Sequence, residues 1–155
     1  MTGKTILIVE DDGIIATRLH DTLTRCGYNA PAPVASGEEA VAAVTAAAPD
    51  LVLMDIELAG AMNGTTAAEH IRADFDTPIV YLTAYSQAAQ LQRAKATSPY
   101  GYLIKPVAER DLLATLEMAL HRHAIDRRLE ENEERLTLAL WGADLGLWGW
   151  DIRTG

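Results

Sequence analysis

Two short apolar runs in this chain each end in acid: Ile6-Leu7-Ile8-Val9 is followed at once by Glu10-Asp11-Asp12, and Leu51-Val52-Leu53-Met54 by Asp55. Four consecutive aliphatic residues, without the polar alternation of a half-exposed strand, fit a strand covered on both faces, as in a parallel sheet packed between helices. In open parallel sheets the crevice lies above the carboxyl ends of the strands, where the strand-to-helix loops emerge. Both acidic clusters therefore fall in one crevice. Three or four carboxylates gathered there repel one another, so either a hard divalent cation sits among them or one of them keeps its proton. Mg2+ is the expected cation.

The rest of the chain supports such a sheet. Thr5 to Val9 reads as the first strand, after which Ile14, Ile15, Leu19 and Leu23 recur at helical spacing until Gly27. Ala30 to Val34 is a weak second strand, and its prolines at 31 and 33 suggest an edge. Ser36 and Glu39 form a capping box that opens an Ala-rich helix through Ala47. Leu51 to Met54 is the third strand; Asn63-Gly64 breaks the chain before a helix from about Thr66 to Phe75. Pro78 to Leu82 and Tyr102 to Ile104 are the fourth and fifth strands, with a helix of roughly Ser86 to Ala96 between them and a last helix after Pro106. Five such units without a hairpin signal predict an α/β, doubly wound parallel sheet. Thr83 and Lys105 then lie on the same rim as Asp11 and Asp55. A hydroxyl and an ammonium beside a carboxylate nucleophile are what a transferred phosphoryl group requires, which points to acyl phosphate chemistry.

Charge and cysteine content narrow the surroundings. With 22 acidic against 13 basic residues the net charge is −9, opposite in sign to what a phosphate backbone attracts, so no direct nucleic acid binding is expected. Cys26 is the single cysteine, a small helix residue rather than part of a disulfide framework, which suits a reducing, cytoplasmic setting. No apolar stretch approaches the ~20 residues needed to span a bilayer, and Met1-Thr2-Gly3-Lys4 lacks the apolar segment of a secretion signal. A soluble chain without a membrane segment is expected.

Four pieces in fixed order carry a more specific likeness: Ile6-Leu7-Ile8-Val9-Glu10-Asp11-Asp12, Leu53-Met54-Asp55, Leu82-Thr83-Ala84 and Tyr102-Leu103-Ile104-Lys105-Pro106. Together they make residues 4 to about 120 resemble the receiver domain of two-component response regulators. The resemblance implies a flavodoxin-like sheet of five strands in the order 2-1-3-4-5. It implies Asp55 as phosphoacceptor and metal ligand, Asp11 as direct Mg2+ ligand, and Glu10 as a ligand through water or a hydrogen bond. Glu57 would add its backbone carbonyl to the metal. Thr83 and Lys105 would hold the phosphoryl oxygens, and Tyr102 would be an aromatic switch that turns inward with Thr83. The donor would be a histidine kinase or a histidine phosphotransfer protein, with the receiver catalysing its own phosphorylation and dephosphorylation. Glu10 replaces the family's commoner Asp, and Gly13 stands where Pro or another residue often follows the acidic pair. Asp12 reads equally well as a cap for the next helix. Glu57 and Tyr85 flank the site, where they either control the access of water or line a passive loop.

The last forty residues form a separate pattern. From Met118 an alternating interval of three and four links Met118, Arg122, Ile125, Leu129, Asn132, Leu136 and Ala139, with charged residues between them. The last helix is therefore expected to continue as an extended C-terminal helix, a signalling helix or coiled-coil linker over 121–140, through which two copies form a homodimer. His121 and His123 lack the acidic neighbour and apolar frame of a phosphodonor histidine. Beyond Leu140, the sequence Gly146-Leu147-Trp148-Gly149-Trp150-Asp151, followed by Arg153-Thr154-Gly155, resembles the start of a PAS sensor domain. The expected division is a receiver over 1–120, a linker over 121–140 and a truncated PAS start over 141–155. The leading reading is a Mg2+-dependent receiver that relays a switch to a C-terminal PAS or output module. The alternative is the regulatory N-terminal part of a hybrid sensor histidine kinase whose catalytic domains lie further along, since the chain carries no ATP-binding motif.

Overall fold

A computed structural model describes residues 3–58, 60–84 and 99–144, with 130–144 as backbone. The strands are β1 (Ile6–Val9), β2 (Leu51–Asp55), β3 (Ile79–Thr83) and β4 (Gly101–Ile104). The helices are α1 (Gly13–Arg25), α2 (Gly37–Ala47), α3 (Gly64–Asp74) and α4 (Glu109–Asp144). The chain divides into two compact units, Met1–Leu120 and His121–Gly155.

All four strands run parallel in the order β1-β2-β3-β4, with Val9 opposite Met54, Asp55 opposite Leu82 and Thr83 opposite Ile104. Every residue of β1, β2 and β3 is buried, as their unbroken apolar runs predict. Because successive strand residues point to opposite faces, the strands feed two cores. Ile6, Ile8, Leu53 and Leu82 join Leu19 and Leu23 of α1 and Leu112 and Leu116 of α4. Leu7, Val9, Met54 and Tyr81 join Ala40 and Val44 of α2 and Ala67 and Ile71 of α3.

The helix starts follow local chemistry. Asp12 caps α1 by accepting from the N–H groups of Ile14 and Ile15 at 2.9 and 3.2 Å. Ser36 caps α2 as expected, with the Glu39 N–H donating to Ser36 Oγ at 3.1 Å, while the Glu39 carboxylate reaches back to the Ala35 N–H at 3.3 Å. Asn63 accepts from the Thr66 N–H at 2.9 Å and starts α3 two residues earlier than the apolar spacing suggests.

The expected second strand is corrected. Ala30 to Val34 makes no continuous ladder; two isolated parallel bridges mark this edge, Val9 of β1 with Val34 and, just before each segment, Thr5 with Asn29. Asn29 N–H donates to the Lys4 carbonyl and Val34 N–H to the Ile8 carbonyl, so five steps on the edge segment face four on β1. One residue is extra, and Pro31 stands where the next N–H donor is due. The described sheet thus has four strands instead of the five in order 2-1-3-4-5. The helix expected over 86–96 and the PAS-like residues 145–155 lie outside the described residues, as does Tyr85.

Candidate functional site: a carboxylate cluster held by one lysine

The parallel register brings the acids together. Pairing Val9 with Met54 carries Glu10 to the level of Asp55, each one step beyond the last apolar residue of its run. Both carboxylates are buried, each at 2% exposure, while Asp11 at the lip is exposed. One oxygen from each of Glu10, Asp11 and Asp55 can be chosen so that all lie within 4.8 Å of one another. Lys105, one residue past β4, reaches across the crevice: its Nζ donates to Glu10 Oε1 and to Asp55 Oδ2, both at 2.9 Å. The remaining carboxylate oxygens take main-chain donors. Asp12 N–H donates to Glu10 Oε2 and Glu57 N–H to Asp55 Oδ1, each at 3.1 Å.

The electrostatics show a shortage of positive charge. Burial, together with a hydrogen bond shared with Asp55, pushes the Glu10 carboxyl up to about 7, against the lowering effect of Lys105 and the Asp12 N–H. Burial alone would lower the Lys105 ammonium, but its bonds to Glu10 and Asp55 outweigh that and raise it. Among the described residues three carboxylates face one ammonium, and with acidic oxygens this close they form a donor set suited to a small hard cation that prefers oxygen ligands.

Thr83, at the end of β3, is buried, and its hydroxyl donates to the Ala84 carbonyl at 3.2 Å. It sits on the same rim, since Lys105 N–H donates to the Thr83 carbonyl at 2.7 Å. Tyr102 is half-buried and stacks on the fully buried Tyr81, its cross-strand partner, with ring centroids 6.1 Å apart and planes 23° apart. Glu57 is exposed, and its main-chain N–H donates to Asp55 Oδ1.

Asp12, read from the sequence as either a site acid or a helix cap, turns out to be the cap, and two further contributors, Gly64 and Tyr81, were not singled out from the sequence. Asp12 serves Glu10 through its N–H while its side chain caps α1, a division that the residue type alone cannot reveal. Gly64 backs the phosphoacceptor candidate: a Cβ there would overlap the Asp55 carbonyl, and Gly64 N–H donates to the Ile56 carbonyl at 2.9 Å. Its only sequence signal was the Asn63-Gly64 break. Tyr81 lies two residues before Thr83 on the same strand face, a spacing that could have marked it as the support for Tyr102.

The family model for the response regulator receiver domain matches residues 6–117. Among curated proteins the chain is 35% identical over 119 residues to the transcriptional regulatory protein PdtaR of Mycobacterium tuberculosis, covering 77% of this chain and 58% of that protein. It thus spans little more than half the length of such relatives. Among solved structures it is similar to the N-terminal domain of a response regulator/sensory box/GGDEF three-domain protein from Carboxydothermus hydrogenoformans. That likeness has 37% identity and a TM-score of 0.72, covering 79% of this chain and 98% of the other. It is also similar to the receiver domain of a sensor histidine kinase from Pseudomonas aeruginosa, which carries a magnesium ion in its active-site cleft. Here identity is 29% and the TM-score 0.71, covering 77% of this chain and 99% of the other.

Proposed function

The chain belongs to the response regulator receiver domain family, and from that premise we propose a Mg2+-dependent phosphorylation switch in which Asp55 takes a phosphoryl group from a phosphohistidine donor. The observation that carries this reading is the pair of hydrogen bonds from Lys105 to Glu10 and Asp55, which holds an ammonium between a candidate nucleophile and a second buried carboxylate at the strand ends, with Asp11 beside them. The Asp55 carboxylate attacks phosphorus as the bond from phosphorus to the donor imidazole nitrogen breaks, and that nitrogen keeps the electron pair. Lys105 turns from the Asp55 oxygen to a phosphoryl oxygen, and Thr83 donates its hydroxyl to another. Glu10, Asp11 and Asp55, with the Glu57 carbonyl, would hold Mg2+, which when bound supplies positive charge to the phosphoryl oxygens. Water later cleaves the acyl phosphate, so the receiver catalyses both the gain and the loss of the group.

The donor is a histidine kinase or a histidine phosphotransfer protein, in a cytoplasmic setting; no helix among the described residues is long and apolar enough to cross a membrane. Thr83 moves toward the new oxygens, and Tyr102, already half-buried against Tyr81, packs further inward. The change passes along α4 to a PAS or output module, with 121–140 as a signalling linker and homodimer seam. The similarity to a receiver that precedes a sensory box in another protein supports that order. Acetyl phosphate with Mg2+ tests the chemistry by intact mass. Wild type should gain one phosphoryl group, Asp55→Asn none, and Asp11→Asn should gain it more slowly and bind Mg2+ more weakly. Unchanged uptake by Asp55→Asn would sink the proposal.

A further inference from the structure

The turn between the strand that ends in Asp55 and α3 holds a second piece of chemistry. Of the three asparagines in the chain, Asn63 alone precedes a glycine. An Asn-Gly pair is prone to cyclise, because the next main-chain nitrogen can attack the side-chain amide carbon and glycine has no Cβ to hinder it. Gly64 N loses its proton and bonds to Asn63 Cγ, the bond from Cγ to the amide nitrogen breaks, and ammonia leaves with that proton. Water then opens the succinimide at one carbonyl or the other. The product is either aspartate or an isoaspartyl residue, whose main chain is one carbon longer.

Three hydrogen bonds in the fold oppose the first step. The Gly64 N–H is committed to the Ile56 carbonyl at 2.9 Å, so the nucleophile faces back toward the end of β2. Asn63 Oδ1 accepts from Thr65 Oγ1 at 2.8 Å and from the Thr66 N–H at 2.9 Å, which fixes the amide over the first turn of α3. Asn63 is itself extended, with ψ at 178°, so its main chain does not fold Gly64 N against Cγ. We propose that Asn63-Gly64 is a latent deamidation site, held unreactive by the seating of α3 on the end of β2, and that isoaspartate formed there disables Asp55 as phosphoacceptor. The first part stands on this turn alone; the second rests on the phosphorylation reading above. Aspartate at 63 can accept the same two bonds and still cap α3. Isoaspartate cannot keep this geometry, since its added carbon falls immediately before Gly64, where even a Cβ would overlap the Asp55 carbonyl. The main chain that carries Asp55 and Ile56 must then shift.

For the test, the full 155-residue chain is aged in mildly alkaline buffer, folded and in urea, and deamidation at residue 63 is followed by peptide mass mapping. The folded chain should react at least about tenfold more slowly, since the turn must open before the nitrogen is free. Thr65→Val, which removes one of the bonds to Asn63 Oδ1, should speed the folded reaction roughly fivefold and leave the unfolded one unchanged. Equal rates for folded and unfolded wild type overturn the protection by the fold. The chain aged in urea is then refolded, checked by circular dichroism, separated into aspartyl and isoaspartyl forms, and given acetyl phosphate with Mg2+. The isoaspartyl form should gain the phosphoryl group at least about tenfold more slowly than fresh protein, whereas Asn63→Asp should match fresh protein. Isoaspartyl protein that is phosphorylated at the fresh rate overturns the second part. Fresh wild type that gains no phosphoryl group overturns the phosphorylation reading instead, and the two ageing rates still decide whether the fold protects the site.

Discussion

Replacing Lys105 by Met keeps an aliphatic stem of similar length and removes an ammonium that bonds both buried carboxylates. Taking away one partner of a buried ion pair leaves the other charge uncompensated, which usually costs ~3–5 kcal/mol. Lys105 keeps 19% side-chain exposure while Glu10 and Asp55 keep 0% and 3%. Solvent therefore reaches the lysine side of the cluster, and Glu10 can relieve the charge by holding a proton. Both effects lower the expected loss to about 2–3 kcal/mol. For a cooperative unit the size of Met1–Leu120, whose unfolding entropy is of order 0.25 kcal/mol/K, that corresponds to a fall in Tm of ~10 °C.

The pH dependence has a definite sign. Glu10 ionises near 7 in the folded protein and near its ordinary 4.5 when unfolded, so between those values the folded state holds more proton. Stability contributed by this group is present below 4.5 and is lost as pH rises toward 7. Without Lys105 the folded carboxyl rises further, and the loss extends to higher pH. The deficit of Lys105→Met should therefore be largest at about pH 8 and smaller at about pH 5. A cation replacing the missing positive charge should also raise the Tm of the variant more than that of wild type, by mass action on the folded state. Scanning calorimetry with and without Mg2+ at both pH values measures all three quantities. A variant within about 2 °C of wild type at both pH values without Mg2+ would refute the claim that Lys105 balances the cluster.

Gly64→Ala should destabilise by roughly 1–3 kcal/mol and slow phosphoryl uptake, since the added Cβ must displace the main chain that carries Asp55. Gly13→Ala, where nothing lies within 4 Å of the new Cβ, should be neutral or stabilise slightly; urea unfolding of the two variants is the comparison, and equal effects would contradict it. Asp12→Ala should cost ~1 kcal/mol through the lost α1 cap while leaving Mg2+ affinity unchanged, because the N–H that serves Glu10 survives. A marked loss of Mg2+ binding, measured by calorimetric titration, would show that the Asp12 side chain belongs to the metal site.

What could be read in the sequence depended on whether a single segment carries the constraint. β1 and β2 were legible because burial on both faces demands an unbroken apolar run and the acids follow directly, so strand, strand end and site residue are encoded within a few positions. The edge segment was only half legible. Pro31 and Pro33 announce an edge, but the extra residue that leaves two bridges instead of a ladder arises from matching 29–34 against Lys4 to Ile8, a relation between segments. Gly64 and Tyr81 are of the same kind: one, at the start of α3, is required by the Asp55 carbonyl at the end of β2, the other by a ring across the register of β3 and β4. Asp12 shows a different limit, because a helix cap and a metal ligand ask for the same carboxylate and only its position relative to Ile14 and Ile15 separates them. The candidate site was therefore visible as a set of charges well before its geometry was. Sequence spacing put Glu10, Asp11, Asp55 and Lys105 on one rim; how deeply Glu10 would be buried beside Asp55, and so how far it would hold its proton against Lys105, depended on a register that no single run of residues contains.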